Sequence, residues 1–222
     1  MLAALFNSPR QHLSTHLNQL FLKLAQHDFL PFHLKMSYPT QPAFIQYSSG
    51  WEQRWRTHPV YDFMCEHHIA FDEGNMKTQP YTNWHTSDLT LTKPNGETVS
   101  PGQPSWDALL EQYAPFSAHR HQPVWVAIWE TEDGGYEFVG NAKMFADLMV
   151  PGGVKSKQDS NGRKWDVEGQ AMSMCRFVRD PTGPKGLKLA YFKLFLDPTP
   201  LMGEMVKRGM VNGSDLMKML GI

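Results

Sequence analysis

A long β-hairpin is predicted near the middle of the chain. Its first arm is Pro123-Val-Trp-Val-Ala-Ile-Trp-Glu-Thr131, which is rich in apolar and β-branched residues, and its second arm is Tyr136–Met149. Between the arms, Asp133-Gly134-Gly135 supplies residues that adopt the positive φ angles of tight hairpin turns. Two more apolar stretches follow, Trp165–Arg179 and Leu187–Leu196. The second half of the chain is therefore predicted to form an antiparallel meander.

Helices dominate the chain before this meander. Trp51–Thr57 and Pro59–Glu73 are predicted as two helical pieces, since proline is tolerated in the first turn of a helix. The stretch Asp88–Thr92 alternates as a short strand, and Ser105 is predicted to cap a helix over Trp106–Tyr113. Helices first and a long meander afterwards predict an α+β domain.

The predicted organisation has three parts. Residues 1–50 are expected to be a peripheral extension that is partly helical, because the leucines of Ser14–His27 recur at helical spacing before a proline-rich stretch. Residues 51–201 are expected to form the folded domain. Residues 202–222 are expected to form a helical tail.

Composition narrows the class of protein. The 222 residues are 41% hydrophobic and 19% charged, which supports a packed core. With 21 basic and 22 acidic residues, the net charge of −1 argues against nucleic-acid binding through a broad cationic face. Cys65 and Cys175 are too few for a disulfide framework and favour a cytoplasmic protein. No apolar run approaches the roughly 20 residues of a membrane span, and no membrane partner is expected.

Several local stretches resemble the SnoaL-like members of the NTF2-like superfamily. They are Trp84–Leu91, the turn Pro94–Glu97, Gly102, and the strand ending Phe195–Leu201, which contains Asp-Pro-Thr-Pro-Leu. The resemblance covers about residues 51–201. It implies a cone in which a curved antiparallel sheet wraps around helices and encloses a pocket.

The same resemblance carries expectations about function. Polyketide cyclases, ketosteroid isomerase and scytalone dehydratase belong to this superfamily, and many members move protons without a cofactor. The chain is therefore expected to be a cofactor-independent isomerase, cyclase or dehydratase of secondary metabolism, acting on a polyketide-like or aromatic small molecule. The resemblance also implies a homodimer formed through the outer face of the sheet. The alternative is a non-catalytic domain that binds a small molecule or a protein.

His121 and Asp72 are the first candidates for proton transfer. In dehydratase-like proteins a catalytic histidine stands at the start of the strand that corresponds to the first hairpin arm, and His121 lies just before that arm. A histidine suits this task because its ordinary pKa of about 6.5 lets it take and give a proton near neutrality. The same pattern places an aspartate late in the first long helix, here Asp72 beside Phe71. The simpler interpretations are a loop histidine and a solvated helix end.

Aromatic residues supply the remaining candidates. Tyr113 and His85 are predicted as possible catalytic donors, because a tyrosine or histidine in an apolar pocket can stabilise an enolate oxygen. The predicted substrate-binding residues are Tyr81, Trp84, His119 and Trp125. Core packing is the alternative for each aromatic ring.

A metal site is not predicted. His119 and His121 form a His-x-His pair, but a cupin-type site needs a carboxylate about four residues later, where Trp125 stands. His67 and His68 are consecutive on a predicted helix and point about 100° apart. The sequence has no His-Glu-x-x-His or Cys-x-x-Cys motif, and no cofactor is expected.

Overall fold

A six-stranded mixed β-sheet is the main element of the described part of the chain. The structure is a computed structural model and describes residues 43–212 and 214. The strands are β1 (Ala43–Tyr47), β2 (His85–Thr92), β3 (Phe116–Glu130), β4 (Tyr136–Leu148), β5 (Lys157–Gln158), β6 (Lys164–Trp165), β7 (Val167–Arg179) and β8 (Leu187–Leu196). The α-helices are α1 (Pro59–Asp72), α2 (Gln103–Gln112) and α3 (Thr199–Lys207). The helix predicted at Ser14–His27 lies outside the described residues.

The predicted α+β class and the antiparallel meander are confirmed. The strand order is β1-β3-β4-β7-β8-β2, and the short strands β5 and β6 pair with each other. Strands β3, β4, β7 and β8 run antiparallel to their neighbours in chain order, while β2 pairs with β8 in parallel. The parallel pairing places β2, which comes from the helical half of the chain, at the far edge of the meander.

The sheet begins before the predicted domain boundary at residue 51. Strand β1 pairs antiparallel with Trp125–Trp129 of β3, so part of the predicted extension supplies an edge strand. Its Phe44 packs against the rings of His58 and Tyr61, whereas Ile45 faces outward and is exposed. At the other end, α3 crosses the predicted boundary between domain and tail at residue 201.

Strand β3 begins at Phe116, well before the predicted start at Pro123. The pairing of β3 with β1 ends at Trp125, so β3 has no β1 neighbour at Pro123. Proline lacks an N–H, and on this unpaired side its absence breaks no hydrogen bond between strands. A bulge between Pro123 and Trp125 also changes which residues face inward. His119 and His121 are buried before the bulge and Val126 after it, which places both histidines inside the strand rather than in a loop.

Helix α2 begins at Gln103 rather than at Trp106. Gly102 precedes it with φ of 83°, and a Cβ there would lie 2.9 Å from the carbonyl oxygen of Ser87. Ser105, predicted as the cap, lies within the helix. Its Oγ donates to the carbonyl of Ser100 and accepts from the N–H of Leu91, so it joins α2 to β2.

A buried ion pair fixes the end of α3 to the sheet. Arg208 Nη1 lies 2.9 Å from Asp166 Oδ2, and the two side chains are only 6% and 4% exposed. The same nitrogen donates to the carbonyl of Val150, and Arg208 Nε donates to Glu204. Asp166 in turn accepts from the N–H of Leu148 at the end of β4.

Two further findings concern membrane-spanning helices and the state of the cysteines. Within residues 43–212, no helix is long and apolar enough to cross a membrane. Cys65 and Cys175 are both buried and free.

Replacement of Arg208 by Met is expected to lower the free energy of unfolding by about 3 kcal/mol, because Asp166 would keep a buried charge without its partner. Chemical denaturation measures the change. Lys207→Met is the matched control, since the Lys207 side chain is 74% exposed and its ion pair with Glu204 should contribute about 0–1 kcal/mol. Equal losses in the two variants would contradict a special role for the buried pair.

Candidate active site

A small cavity lies between the inner face of the sheet and helices α1 and α2. Its volume is about 50 Å³. It is lined by His67, His68, Phe71, Leu109, Tyr113, His121, Ala142, Ala171, Met172, Ser173, Leu189, Phe192 and Leu194. Most of the wall is apolar, and the ionisable groups come from α1, from the residue after α2, and from β3.

Asp72 organises the polar side of this cavity. It is the last residue of α1, and its Oδ1 lies 2.6 Å from His121 Nδ1 and 3.0 Å from His119 Nδ1. Its Oδ2 accepts from the backbone N–H of His121 at 2.9 Å. His119 and His121 reach the same carboxylate because residues two apart on a strand share a face. Asp72 is therefore a mostly buried carboxylate with three N–H partners, and not a solvated helix end.

The neighbours of Asp72 keep it ionised. Burial by itself raises the pKa of a carboxyl, but the charge of His121 and the hydrogen bonds from His119 and His121 outweigh burial and hold the pKa of Asp72 well below its ordinary value. A carboxylate can only accept hydrogen bonds. Both histidines therefore carry a proton on Nδ1, and in the neutral form of each ring Nε2 is the hydrogen-bond acceptor.

Tyr113 completes a chain of three groups. Its hydroxyl lies 3.0 Å from His121 Nε2, and burial together with the charge of Asp72 raises the pKa of the Tyr113 hydroxyl above its ordinary value. Tyr113 is therefore protonated and donates to His121 Nε2. The ring of Phe71 packs edge-on to Tyr113 at 4.7 Å, which fixes the tyrosine over the cavity.

A second pair of imidazoles lies on the far side of His121. His85 Nδ1 donates to the carbonyl of Tyr81 at 2.9 Å, so its Nε2 accepts from His67 Nε2–H at 3.2 Å. His67 Nδ1 is then a bare acceptor, and it is buried without a hydrogen-bond partner among the described residues. Burial lowers the pKa of His85 to about 4, and burial and the charge of His85 lower that of His67 well below its ordinary value.

The structure brings together four of the predicted site residues. Asp72, His121, Tyr113 and His119 are in mutual contact through hydrogen bonds or rings. His85 is fully buried behind the cavity wall, where it bonds to His67 and pairs with Leu189 of β8.

The other predicted residues lie elsewhere. Tyr81 donates its hydroxyl to the carbonyl of Ser87 and packs on Trp106. Trp84 packs edge-on against Phe63 and His67, behind the cavity wall. Trp125 lies on the opposite face of β3 from the buried Val126, because the bulge after Pro123 reverses the alternation.

Two histidines that line the cavity were not among the predicted site residues. His67 and His68 were considered only as metal ligands, and both line the cavity. A signal was present in the sequence, since His68 precedes Asp72 by four residues and therefore shares a helix face with it.

The cluster could also hold a metal ion. One ligand atom from each of Asp72, His119 and His121 falls within 4.8 Å of the others. Two imidazoles and one carboxylate form a ligand set known from transition-metal sites. The hydrogen bonds to Asp72 account for the same atoms without a metal, and binding through Nδ1 would have to displace both ring protons.

Comparisons with known proteins bear on the fold alone. No family model and no curated protein match the chain. Among solved structures, ActVI-ORFA from Streptomyces coelicolor is 17% identical, with a TM-score of 0.45 over 63% of this chain and 95% of that one. Aln2 from a Streptomyces species is 11% identical, with a TM-score of 0.49 over 68% and 97%. A protein from Streptomyces avermitilis assigned to the NTF2-like family as a dehydratase is 14% identical, with a TM-score of 0.47 over 65% and 97%.

The described residues form the α+β architecture that the sequence predicts. Helices precede an antiparallel meander whose inner face carries the cavity, and the sheet is not closed. At these identities no site residue is transferred from another protein, so the chemistry rests on the residues described above.

Lowering the pH from about 7 to about 4 is expected to lower the melting temperature. His67, His68 and His85 take up a proton near pH 6.5 in the unfolded chain. In the folded protein the pKa of His68 and of His85 is about 4, and that of His67 is well below its ordinary value. The unfolded state therefore binds more protons in this pH window. As a result, the free energy of unfolding decreases as the pH is lowered. His85→Gln keeps an acceptor for His67, and its melting temperature should fall less steeply. If the melting temperatures of the wild type and His85→Gln fall equally with pH, His85 is not a neutral buried histidine.

Proposed function

We propose that the protein is an acid–base enzyme that enolises a small carbonyl compound without a resident cofactor. The observation that carries this proposal is the hydrogen-bonded chain Asp72–His121–Tyr113 at the wall of a mostly apolar cavity. Such a chain joins a proton acceptor to a proton donor within one site.

His121 is the base in this proposal. Asp72 fixes the proton of His121 on Nδ1 and stabilises the imidazolium that forms when Nε2 takes a second proton. The buried carboxylate thereby fixes the tautomer and orientation of the ring without taking the proton itself.

Tyr113 is the proposed oxyanion donor. At rest its hydroxyl donates to His121 Nε2. When a carbonyl compound enters, the hydroxyl turns to the carbonyl oxygen and leaves Nε2 free. The C–H bond beside the carbonyl then breaks, its proton moves to Nε2, and its electron pair forms the enolate whose oxygen Tyr113 stabilises. Return of the proton to another carbon gives isomerisation, and loss of a leaving group from the enolate gives elimination.

The cavity limits what can react. An apolar cavity of about 150 Å³ accepts benzene, whereas this cavity has about 50 Å³. A polyketide-like or aromatic substrate can therefore place only its reacting end beside His121, unless the helices move away from the sheet.

Proton exchange tests the proposal without a known substrate. The protein is incubated in D₂O with small ketones, and NMR follows the exchange of protons beside the carbonyl for deuterium. His121→Gln keeps a hydrogen-bonding side chain but cannot move protons, and the protein-catalysed rate should fall by roughly 10²–10⁴. His58→Gln is the matched control, since His58 packs on Phe44 and Tyr136 away from the cavity.

Two results would speak for the alternative, a binding domain without chemistry. One is an exchange rate in the wild type no higher than in buffer. The other is a rate that His121→Gln leaves unchanged while its melting temperature falls, which would give His121 a structural role.

The proposal includes a homodimer, in which the outer face of the sheet meets that of a second copy. Exposed apolar side chains lie on this face, namely Ile45, Tyr47, Met174 and Phe195, at 60%, 72%, 38% and 36% exposure. A groove of about 360 Å³ between Trp129, Val139 and Tyr191 continues the same surface. Apolar patches of this kind mark interaction sites in many proteins.

Replacement of Met174 by Lys should disrupt this dimer, because the substitution places a charge in the apolar patch. Light scattering at micromolar concentration should give about twice the 25.4 kDa chain mass for the wild type and one chain mass for Met174→Lys. A wild-type particle of one chain mass would contradict the dimer.

A further inference from the structure

His68 lines the cavity and has one imidazole nitrogen without a hydrogen-bond partner among the described residues. Its Nδ1 lies 2.9 Å from the carbonyl oxygen of Met64, and a carbonyl can only accept, so Nδ1 carries the ring proton. Nε2 is therefore a bare acceptor, and it makes no hydrogen bond within residues 43–212. Unlike His67 Nδ1, this nitrogen is not enclosed by protein, and the His68 side chain lines the cavity.

The surroundings of His68 keep its ring in place and neutral. Trp51 and His121 contact it with ring centres 5.0 Å and 4.9 Å away. Burial and then the charge of His121 lower the pKa of His68 to about 4, against the smaller opposing effect of Asp72. With the ring proton on Nδ1, Nε2 of His68 offers an acceptor lone pair.

The polar atoms of the cavity are thus matched to a hydrogen-bond donor. Tyr113 already gives its proton to His121, while His68 Nε2 has a lone pair and no partner. A ligand group carrying O–H satisfies that lone pair, whereas an ether, a carbonyl or a methyl group does not. An unpaired acceptor in a small apolar cavity is a cost that such a ligand removes.

We propose that His68 selects the substrate by accepting a hydrogen bond from a hydroxyl group close to the reacting carbonyl. This inference rests on the proposed function, since His121 and Tyr113 act on the same molecule. The rings of His68 and His121 are 4.9 Å apart. One small molecule can therefore contact both rings, with its hydroxyl near the carbonyl on which His121 acts. The substrate class is therefore a hydroxylated carbonyl compound.

A matched pair of probes tests this inference. Hydroxyacetone and 2-butanone have the same number of non-hydrogen atoms and differ by hydroxyl against methyl. Binding of each is measured by NMR titration at pH 7.5, independently of exchange. The wild type should bind hydroxyacetone about 3- to 10-fold more tightly than 2-butanone, the range of one hydrogen bond. The ¹⁵N resonance of His68 Nε2 should also move when hydroxyacetone binds.

Two substitutions separate hydrogen bonding from shape. His68→Phe keeps an aromatic ring beside Trp51 and His121 but lacks the acceptor, so the preference for hydroxyacetone should disappear. His68→Gln offers an amide oxygen and should retain part of it. His58→Phe loses an imidazole outside the cavity and should keep the full preference. If His68→Phe does not fold, His68→Gln and the ¹⁵N measurement still decide.

The possible failures are distinguishable. Equal binding of both probes to the wild type, no binding of either, or a preference that survives in His68→Phe would overturn the role of His68. Loss of proton exchange in the wild type with an intact hydroxyl preference would instead contradict the enolisation chemistry and leave a binding site for hydroxylated compounds.

Discussion

One buried carboxylate governs the polar half of this protein. Asp72 ends α1 under the sheet, where a lone charge is costly, and it is stabilised by three N–H groups from β3. One of these groups is the backbone N–H of His121, so Asp72 joins the end of α1 to β3. The same carboxylate also fixes the ring protons of His119 and His121 on Nδ1. Removing the carboxylate would therefore disturb the helix–sheet contact and the proton chain together.

Two groups of histidines respond to this arrangement in different ways. His119 and His121 donate hydrogen bonds to the carboxylate, whereas desolvation lowers the pKa of His67, His68 and His85. The cavity therefore borders a histidine that is paired with a carboxylate and histidines that are not. The difference arises from the position of a single negative charge.

Much of the fold could be predicted from the sequence. The helix Pro59–Asp72 and the strands after Tyr136 follow from local periodicity and turn residues, which act over a few positions. The first part of β3 could not, because Pro123 resembles a strand boundary and the bulge after it interrupts the alternation. Strand β1 was missed because its pairing with β3 joins residues about 80 positions apart.

In the candidate site, too, local sequence patterns do not reveal the contacts between residues that are distant in the chain. His121 and Asp72 were found through a family resemblance, and the contact between them spans 49 positions that no local pattern connects. Trp125 shows the converse, since the bulge turns a residue only four positions from His121 to the other face.

The bulge at Pro123 has a consequence for how this site can change. Before the bulge, the odd-numbered residues His119 and His121 of β3 point inward. After the bulge, the even-numbered residues Val126 and Ile128 point inward. Loss of one residue at the bulge would restore regular pleating and turn the histidine half of the strand outward while the downstream core stayed intact. A single codon deletion at the bulge would thus remove both histidines from the cavity side of the sheet and leave the downstream core in place.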